Sequence, residues 1–187
     1  LTLGKLKKNS IVGTSSYRRE FQLKRMRPDL KFKLIRGNID SRIKKLKEKK
    51  YDAIVLAKAG LKSLKMSNLI TQEFNCNKII PSAGQGIISL QSRKNDKKIN
   101  KLLEKVNHKN TRIRAYAERN VLKVLKGDCS TAVGIYSLIS KKKLILKAEL
   151  FSTDGKDRYY YEYSDKINKA LNMGTIVGKY LKKISLG

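Results

Sequence analysis

The sequence predicts an α/β layer with a parallel-rich sheet, followed by an α+β module with a three-stranded antiparallel sheet and helices. Three observations carry this. Between Ser10 and Leu61, short apolar runs alternate with helix-patterned stretches in the order strand, helix, strand, helix, strand, helix. The run Asp52 to Ala57 (DAIVLA) is almost wholly apolar, the pattern of a strand buried on both faces. Beyond Gly127 the pattern changes to three strand-like runs closed by a helix.

Taken in order, Ile11-Val12 followed by Gly13 reads as a short buried strand, and Ser15 and Ser16 offer N-caps for a helix bearing Tyr17, Phe21, Leu23 and Met26. Pro28 ends that helix, because proline lacks the N–H and clashes with the preceding turn. Leu30, Phe32 and Leu34 alternate as in a strand. Arg36-Gly37-Asn38 is a turn, with Asn38 or Asp40 capping a helix that places Ile39, Ile43 and Leu46 at helical spacing. After the DAIVLA strand, Ala59-Gly60-Leu61 opens a short helix. Lys78 to Pro81 and the turn Gly84-Gln85-Gly86, with the apolar run Ile87 to Leu90, read as a crossing between lobes. Asp96 to Val106 is a helix; Asn110 or Thr111 caps a stronger one carrying Ile113, Ala117, Val121, Val124 and Leu125, stopped by Gly127. Val133 to Ile139, Leu144 to Phe151 and Arg158 to Tyr163 are strands, turned at Lys141 to Lys143 and at Asp154-Gly155. The tyrosines 159 to 161 fit a strand with two unlike faces. Lys166 to Ile184 is the closing helix.

The chain has 187 residues, with 44 Lys+Arg against 15 Asp+Glu and a net charge of +29. Such a field attracts polyanions: nucleic acid, anionic membrane, or small polycarboxylates and phosphates. The lysines are spread along the chain as solvated faces, so the arginines, rigid bidentate forks for carboxylate and phosphate, carry more of the argument. No apolar run is long enough to span a bilayer, and no signal-peptide pattern opens the sequence. Two cysteines without a CxxC, and a single histidine, give neither a disulfide framework nor a conventional zinc site, and fit a reducing, cytoplasmic setting.

Gly13-Thr14-Ser15-Ser16-Tyr17-Arg18-Arg19 joins a strand to a helix with three hydroxyls, free helix N–H groups and two guanidinium groups. That is an anion cradle, although ordinary capping with a surface arginine pair reads equally well. Arg36-Gly37-Asn38 and Arg42 add two guanidinium groups at a second strand-to-helix turn. In a parallel sheet such turns lie at the carboxyl ends of the strands, where ligands bind, so Arg18, Arg19, Arg36 and Arg42 converging on one crevice would neutralise several carboxylates. Cys129 follows Gly127-Asp128 in a loop after a helix. Lys123 or Lys126 would favour its thiolate and the helix C-terminus would oppose it; taken alone, it reads as an incidental free thiol. Cys76 has no supporting feature, His108 reads as structural, and Glu118-Arg119 reads as a packing ion pair.

The stretches IVGTSSYRREFQL, RPDLKFKLIRGNIDSRIKKL, YDAIVLAKAGLKSL, IIPSAGQGI, Val106 to Thr111 and AERNVLKVLKGDCSTAVG, in unbroken order, resemble porphobilinogen deaminase, also called hydroxymethylbilane synthase. The resemblance implies two α/β lobes like those of periplasmic binding proteins and a third, cysteine-bearing domain. It assigns residues 1–80 to the second lobe, 81–106 to a segment returning to a mostly missing first lobe, and 107–187 to the C-terminal α+β domain. It implies a covalent dipyrromethane cofactor on Cys129 and the head-to-tail joining of four porphobilinogen molecules into a linear bilane, in tetrapyrrole biosynthesis. It assigns cofactor and substrate binding to Thr14, Ser16, Arg18, Arg19, Arg36, Arg42 and Gln85, and the catalytic aspartate to a segment absent here. Neither Asp40 nor Asp52 matches that aspartate. With Leu1 in first place, the chain reads as a C-terminal portion, inactive alone and monomeric when complete, with no metal, nucleic-acid or membrane partner. Departures from the family pattern are Asp128 where Gly is common, Thr131-Ala132 where a Pro is common, Gln91-Ser92 for Glu-Cys, and bulky Ile87-Ile88 after the GQG turn. The alternative is a non-catalytic anion- or nucleic-acid-binding module, although no RRM, KH or helix-turn-helix signature occurs. A small-anion receptor lobe is a third reading, which gives Cys129 no role.

Overall fold

The computed structural model describes residues 1–128 and 130–186. It divides into two compact units: residues 1–79 with 130–133 and 151–158, and residues 80–128 with 134–150 and 159–186.

The first unit is built on a parallel sheet of β1 (Ile11–Gly13), β2 (Lys31–Lys33) and β3 (Ala53–Ile54), in the order β2-β1-β3. Ile11 pairs with Lys31 and Gly13 with Lys33, while Val12 pairs with Ala53. Helix α1 (Tyr17–Met26) leads from β1 to β2, and α2 (Ile39–Lys47) from β2 to β3. The two crossovers run in opposite directions across the sheet, so right-handedness puts the helices on opposite faces. Ser16 caps α1, its Oγ accepting from the Arg19 N–H at 3.4 Å, and Asn38 caps α2 by accepting from Ser41 N–H at 2.9 Å. Leu6, Val12 and Leu30 form the core beside the sheet, with Leu3, Phe32, Ala53 and Val55 packed on them.

Two polar anchors hold the start of the chain on this sheet. Arg27 forks onto Asp29 through Nε at 2.7 Å and Nη2 at 2.6 Å, and also donates to the carbonyls of Leu3 and Leu6. Asp52 accepts from the Ile11 N–H at 2.7 Å. Strand β3 is shorter than the DAIVLA run predicts, and its residues are half-buried rather than enclosed. Among the described residues it is an edge strand, with β1 as its one neighbour, so its outer edge lacks a strand to cover it. The short helix α3 (Lys58–Ser63) follows it.

The second unit holds α4 (Lys97–Val106), α5 (Lys109–Leu125) and α6 (Ala170–Ile184), with most of the antiparallel sheet β4 (Val133–Ser140), β5 (Lys143–Phe151), β6 (Arg158–Lys166). Strand β5 supplies the fully buried Leu144, Leu146 and Ala148. On α6, Met173, Val177 and Leu181 share one face at helical spacing and are fully buried. Helices α5 and α6 approach closely through two glycines: a Cβ on Gly174 would lie 2.5 Å from the Ala117 carbonyl oxygen, and one on Gly178 2.7 Å from Val124 Cβ.

Two expectations fail at the ends of α5. The N-cap is His108, whose Nδ1 accepts from the Thr111 N–H at 3.2 Å, rather than Asn110 or Thr111. At the other end Lys126, at φ 53°, takes the left-handed position expected of Gly127, whose N–H returns to the Leu122 carbonyl at 3.1 Å. The run Ile87 to Leu90 forms no regular element, and Ile88 is 89% exposed. No helix is long and apolar enough to cross a membrane among the described residues.

Candidate functional site

A sheet ordered β2-β1-β3 reverses its winding between β1 and β3, and the crevice outside the carboxyl ends of those strands is where such sheets take ligands. The residues there are Thr14 to Arg19 after β1, Leu34 to Arg42 after β2, and Val55 to Ala57 after β3. Both arginine-bearing turns predicted from the sequence therefore open at the same end of one sheet.

The first turn is held by its own hydroxyls. Thr14 is buried; its N–H donates to the Lys33 carbonyl at 3.1 Å, and its Oγ1 accepts from the Ser16 N–H at 3.2 Å. Arg18, one residue into α1, is also buried. Arg19 is half-buried and donates from Nη1 to the Val55 carbonyl at 3.1 Å, which brings its guanidinium to the β1/β3 crevice. Burial, and next the charge of Arg42, lower the Arg19 pKa from its ordinary value.

The second turn presents Arg42 to that place. Gly37, at φ +117°, lets the chain fold over Ser41, whose Oγ would lie 2.2 Å from any added Cβ. The Gly37 carbonyl accepts from Arg42 Nε at 2.7 Å, fixing the guanidinium. Arg36 is exposed; its carbonyl accepts from Lys45 Nζ at 2.9 Å. Among the described residues neither Arg19 nor Arg42 forms a salt bridge with a carboxylate. Two cations held close without an acidic partner repel each other, and an anion placed between them relieves that repulsion.

An open cleft of about 470 Å³ in the same unit is lined by Tyr17, Phe21, Ser130, Thr131, Phe151 and Ser152, among others. Phe21 is stacked on Tyr17 at 5.9 Å and tilted against Phe151 at 5.7 Å between ring centroids, and packs with Ala132 and Phe151 as a buried cluster. Ser130 and Thr131 follow Cys129 in the sequence. Cys129 itself lies outside the described residues, so its predicted role is untouched by the geometry. Gln85 belongs to the second unit, is exposed, and accepts from Ser82 Oγ at 3.2 Å.

The expected Glu118–Arg119 ion pair is not formed. The Glu118 carboxylate is buried and accepts instead from Gly84 N–H, Ser137 N–H and Ser137 Oγ, with Arg114 at 4.0 Å. Residues three and four apart share a helix face, whereas 118 and 119 diverge. Cys76 is a half-buried free thiol. Among the described residues no cluster of His, Cys, Asp and Glu could hold a metal ion.

Comparison with known proteins joins these features to a family. Residues 1–101 match the family model described as "Porphobilinogen deaminase, dipyromethane cofactor binding domain", and residues 112–183 match "Porphobilinogen deaminase, C-terminal domain". The chain is 44% identical over 155 residues to a porphobilinogen deaminase of Buchnera aphidicola subsp. Acyrthosiphon pisum, covering 83% of this chain and 49% of the relative. It is 38% identical over 178 residues to that of Clostridium acetobutylicum, covering 95% and 60%, and 42% identical over 154 residues to that of Coxiella burnetii, covering 82% and 50%. The chain spans about half the length of the curated relatives it matches. The chain belongs to the porphobilinogen deaminase family.

Proposed function

We propose that this chain supplies the carboxylate-binding lobe and the cofactor-bearing domain of a cytoplasmic hydroxymethylbilane synthase, which condenses four porphobilinogen molecules into a linear bilane with loss of ammonia. The observation that carries the reading is the Arg19–Arg42 pair at the β1/β3 crevice, two cations fixed by backbone carbonyls and lacking any acidic partner among the described residues. Porphobilinogen carries two carboxylates on each pyrrole, and a chain of such units presents a row of anions to match.

The same residues fit a dipyrromethane group, whose side chains are also carboxylates. Arg18, Arg19, Arg36 and Arg42 would hold those carboxylates, and Cys129 would carry the thioether. When bound, dipyrromethane supplies the nucleophilic pyrrole carbon to which each new unit is joined. Thr14 and Ser16 keep the turn in the conformation that aims the arginines, through the Oγ1 and Oγ hydrogen bonds described above. In the second unit, Gln85 would be a ligand-binding residue by the family resemblance, with a side chain that both donates and accepts. On this reading residues 1–80 would form the second lobe, 81–106 would return to the first, 107–187 would form the third domain, and the proton-handling carboxylate would come from the first lobe.

The test is the intact mass of an N-terminally extended form that also carries the family's first lobe, isolated from cells that make porphobilinogen. The expected mass exceeds that of the polypeptide by a dipyrromethane, and Cys129→Ser removes the excess. A Cys129→Ser protein that keeps the excess mass rejects the attachment site, and a wild-type protein of bare polypeptide mass rejects the reading.

A further inference from the structure

The turn at residues 82–86 has no sheet or helix of its own. Gly84 and Gly86 take φ of +69° and +83°, Gln85 N–H donates to the Ser82 carbonyl and Ile87 N–H to the Gly84 carbonyl. Two short local bonds do not fix a surface turn against the rest of a domain. Yet this turn is anchored at two points. Upstream, Ile135 N–H of β4 donates to the Pro81 carbonyl at 2.7 Å, and Gly134 lies against Ile80, where an added Cβ would be 3.0 Å from the Ile80 carbonyl oxygen. At the turn itself, Gly84 N–H donates to Glu118 Oε2 at 2.8 Å.

Glu118 is 3% exposed. A carboxylate so placed requires donors to offset its lost hydration. It has three at hydrogen-bond distance, divided between its two oxygens: Oε2 takes Gly84 N–H, and Oε1 takes Ser137 N–H at 2.9 Å and Ser137 Oγ at 2.6 Å. One side chain on α5 thus ties the turn to β4, all within the second unit. We propose that Glu118 is a positioning residue that fixes the 82–86 turn, and so sets where Gln85 is presented. The consequence for ligand binding rests on the role given to Gln85 under Proposed function; the anchoring itself does not.

Chemistry separates this role from general packing. Glutamine keeps the shape of Glu118 but has only one acceptor oxygen. Ser137 is fixed in the sheet, so the oxygen stays there and the amide nitrogen faces Gly84 N–H, donor against donor. Gly84, half-buried, then opens to water. Amide hydrogen exchange on the 187-residue chain reads this directly. In Glu118→Gln, Gly84 N–H is expected to exchange at least about tenfold faster, the loss of one charge-assisted hydrogen bond, with Leu146 in β5 unchanged. Ser137→Ala removes only the Oγ bond to Oε1, so there Gly84 stays protected. Unchanged Gly84 exchange in Glu118→Gln overturns the proposal. If Glu118→Gln loosens the whole unit and Leu146 accelerates in step, Ser137→Ala decides: retained Gly84 protection supports the anchor, and its loss overturns it. A wild-type protein of bare polypeptide mass would count against the function proposed above and leave the exchange result standing.

Discussion

Replacing Gly155 with alanine tests whether the aromatic cluster beside α1 is as tightly closed as the structure has it. Gly155 sits in the β5–β6 turn at φ +73°, with its N–H donating to the Ser152 carbonyl at 2.9 Å. Any side chain there costs about 1 kcal/mol for the left-handed backbone. The new Cβ would also lie 2.5 Å from Phe21 Cδ1 and Cε1. Phe21 cannot swing away freely, being 6% exposed and held between Tyr17 and Phe151. Forcing it aside costs a further ~1–3 kcal/mol, the usual range for overpacking. The sum is about 2–4 kcal/mol, which lowers a urea midpoint by roughly 1–2 M at a slope of about 2 kcal/mol/M. Gly86→Ala is the control: its φ is +83° but no atom lies within 4 Å of the added Cβ, so only the backbone cost of about 1 kcal/mol applies. Urea unfolding of both proteins, followed by amide exchange in each unit, measures the difference. Equal costs for the two substitutions would refute the packing argument at Phe21.

Three further outcomes are expected. The Ser152 hydroxyl, and next the Lys156 N–H, hold the Asp154 carboxyl at about 2, below its ordinary 3.8. A group depressed in the folded state stabilises above its unfolded pKa, and that stabilisation fades as pH falls through the folded one. Asp154→Asn should therefore flatten the decline in urea midpoint between about pH 4 and pH 2, and an unaltered decline would count against the assignment. Gly174→Val should destabilise by about 2–3 kcal/mol, because the Cβ meets a backbone carbonyl that cannot rotate away, and thermal unfolding will read this as a lowered Tm. Thr14→Val keeps the shape of a buried residue but removes the acceptor for Ser16 N–H, so a loss of about 1 kcal/mol is expected in urea unfolding.

The parts of the fold that local chemistry dictates were legible in the sequence. Ser16 and Asn38 cap the helices predicted for them, and the element order announced the parallel sheet. The crevice was legible too, because strand-to-helix turns of a parallel sheet share one end whatever the side chains. What long-range partners decide was not. DAIVLA reads as a central strand, yet its place at the sheet edge depends on which neighbours pair with it. His108 does not stand out as an N-cap in the sequence, because its ring nitrogen does what Asn, Asp, Ser or Thr does more often. Nor does Lys126 stand out for the left-handed position, because the adjacent glycine is the usual occupant. The partners of Glu118 are not legible in the sequence, because its donors come from residues 34 positions upstream and 19 downstream. Its hint in the sequence was a lone acid on the face of α5 that also carries the buried Ala117 and Val121.

The central proposal is that Arg19 and Arg42, at the β1/β3 crevice, bind pyrrole carboxylates. The most direct measurement is calorimetric titration of porphobilinogen into the protein and into its Arg42→Gln variant, at matched low salt. The account predicts binding weakened about 10- to 100-fold in the variant, the worth of a charge-assisted pair. Equal affinity in the two proteins would contradict it.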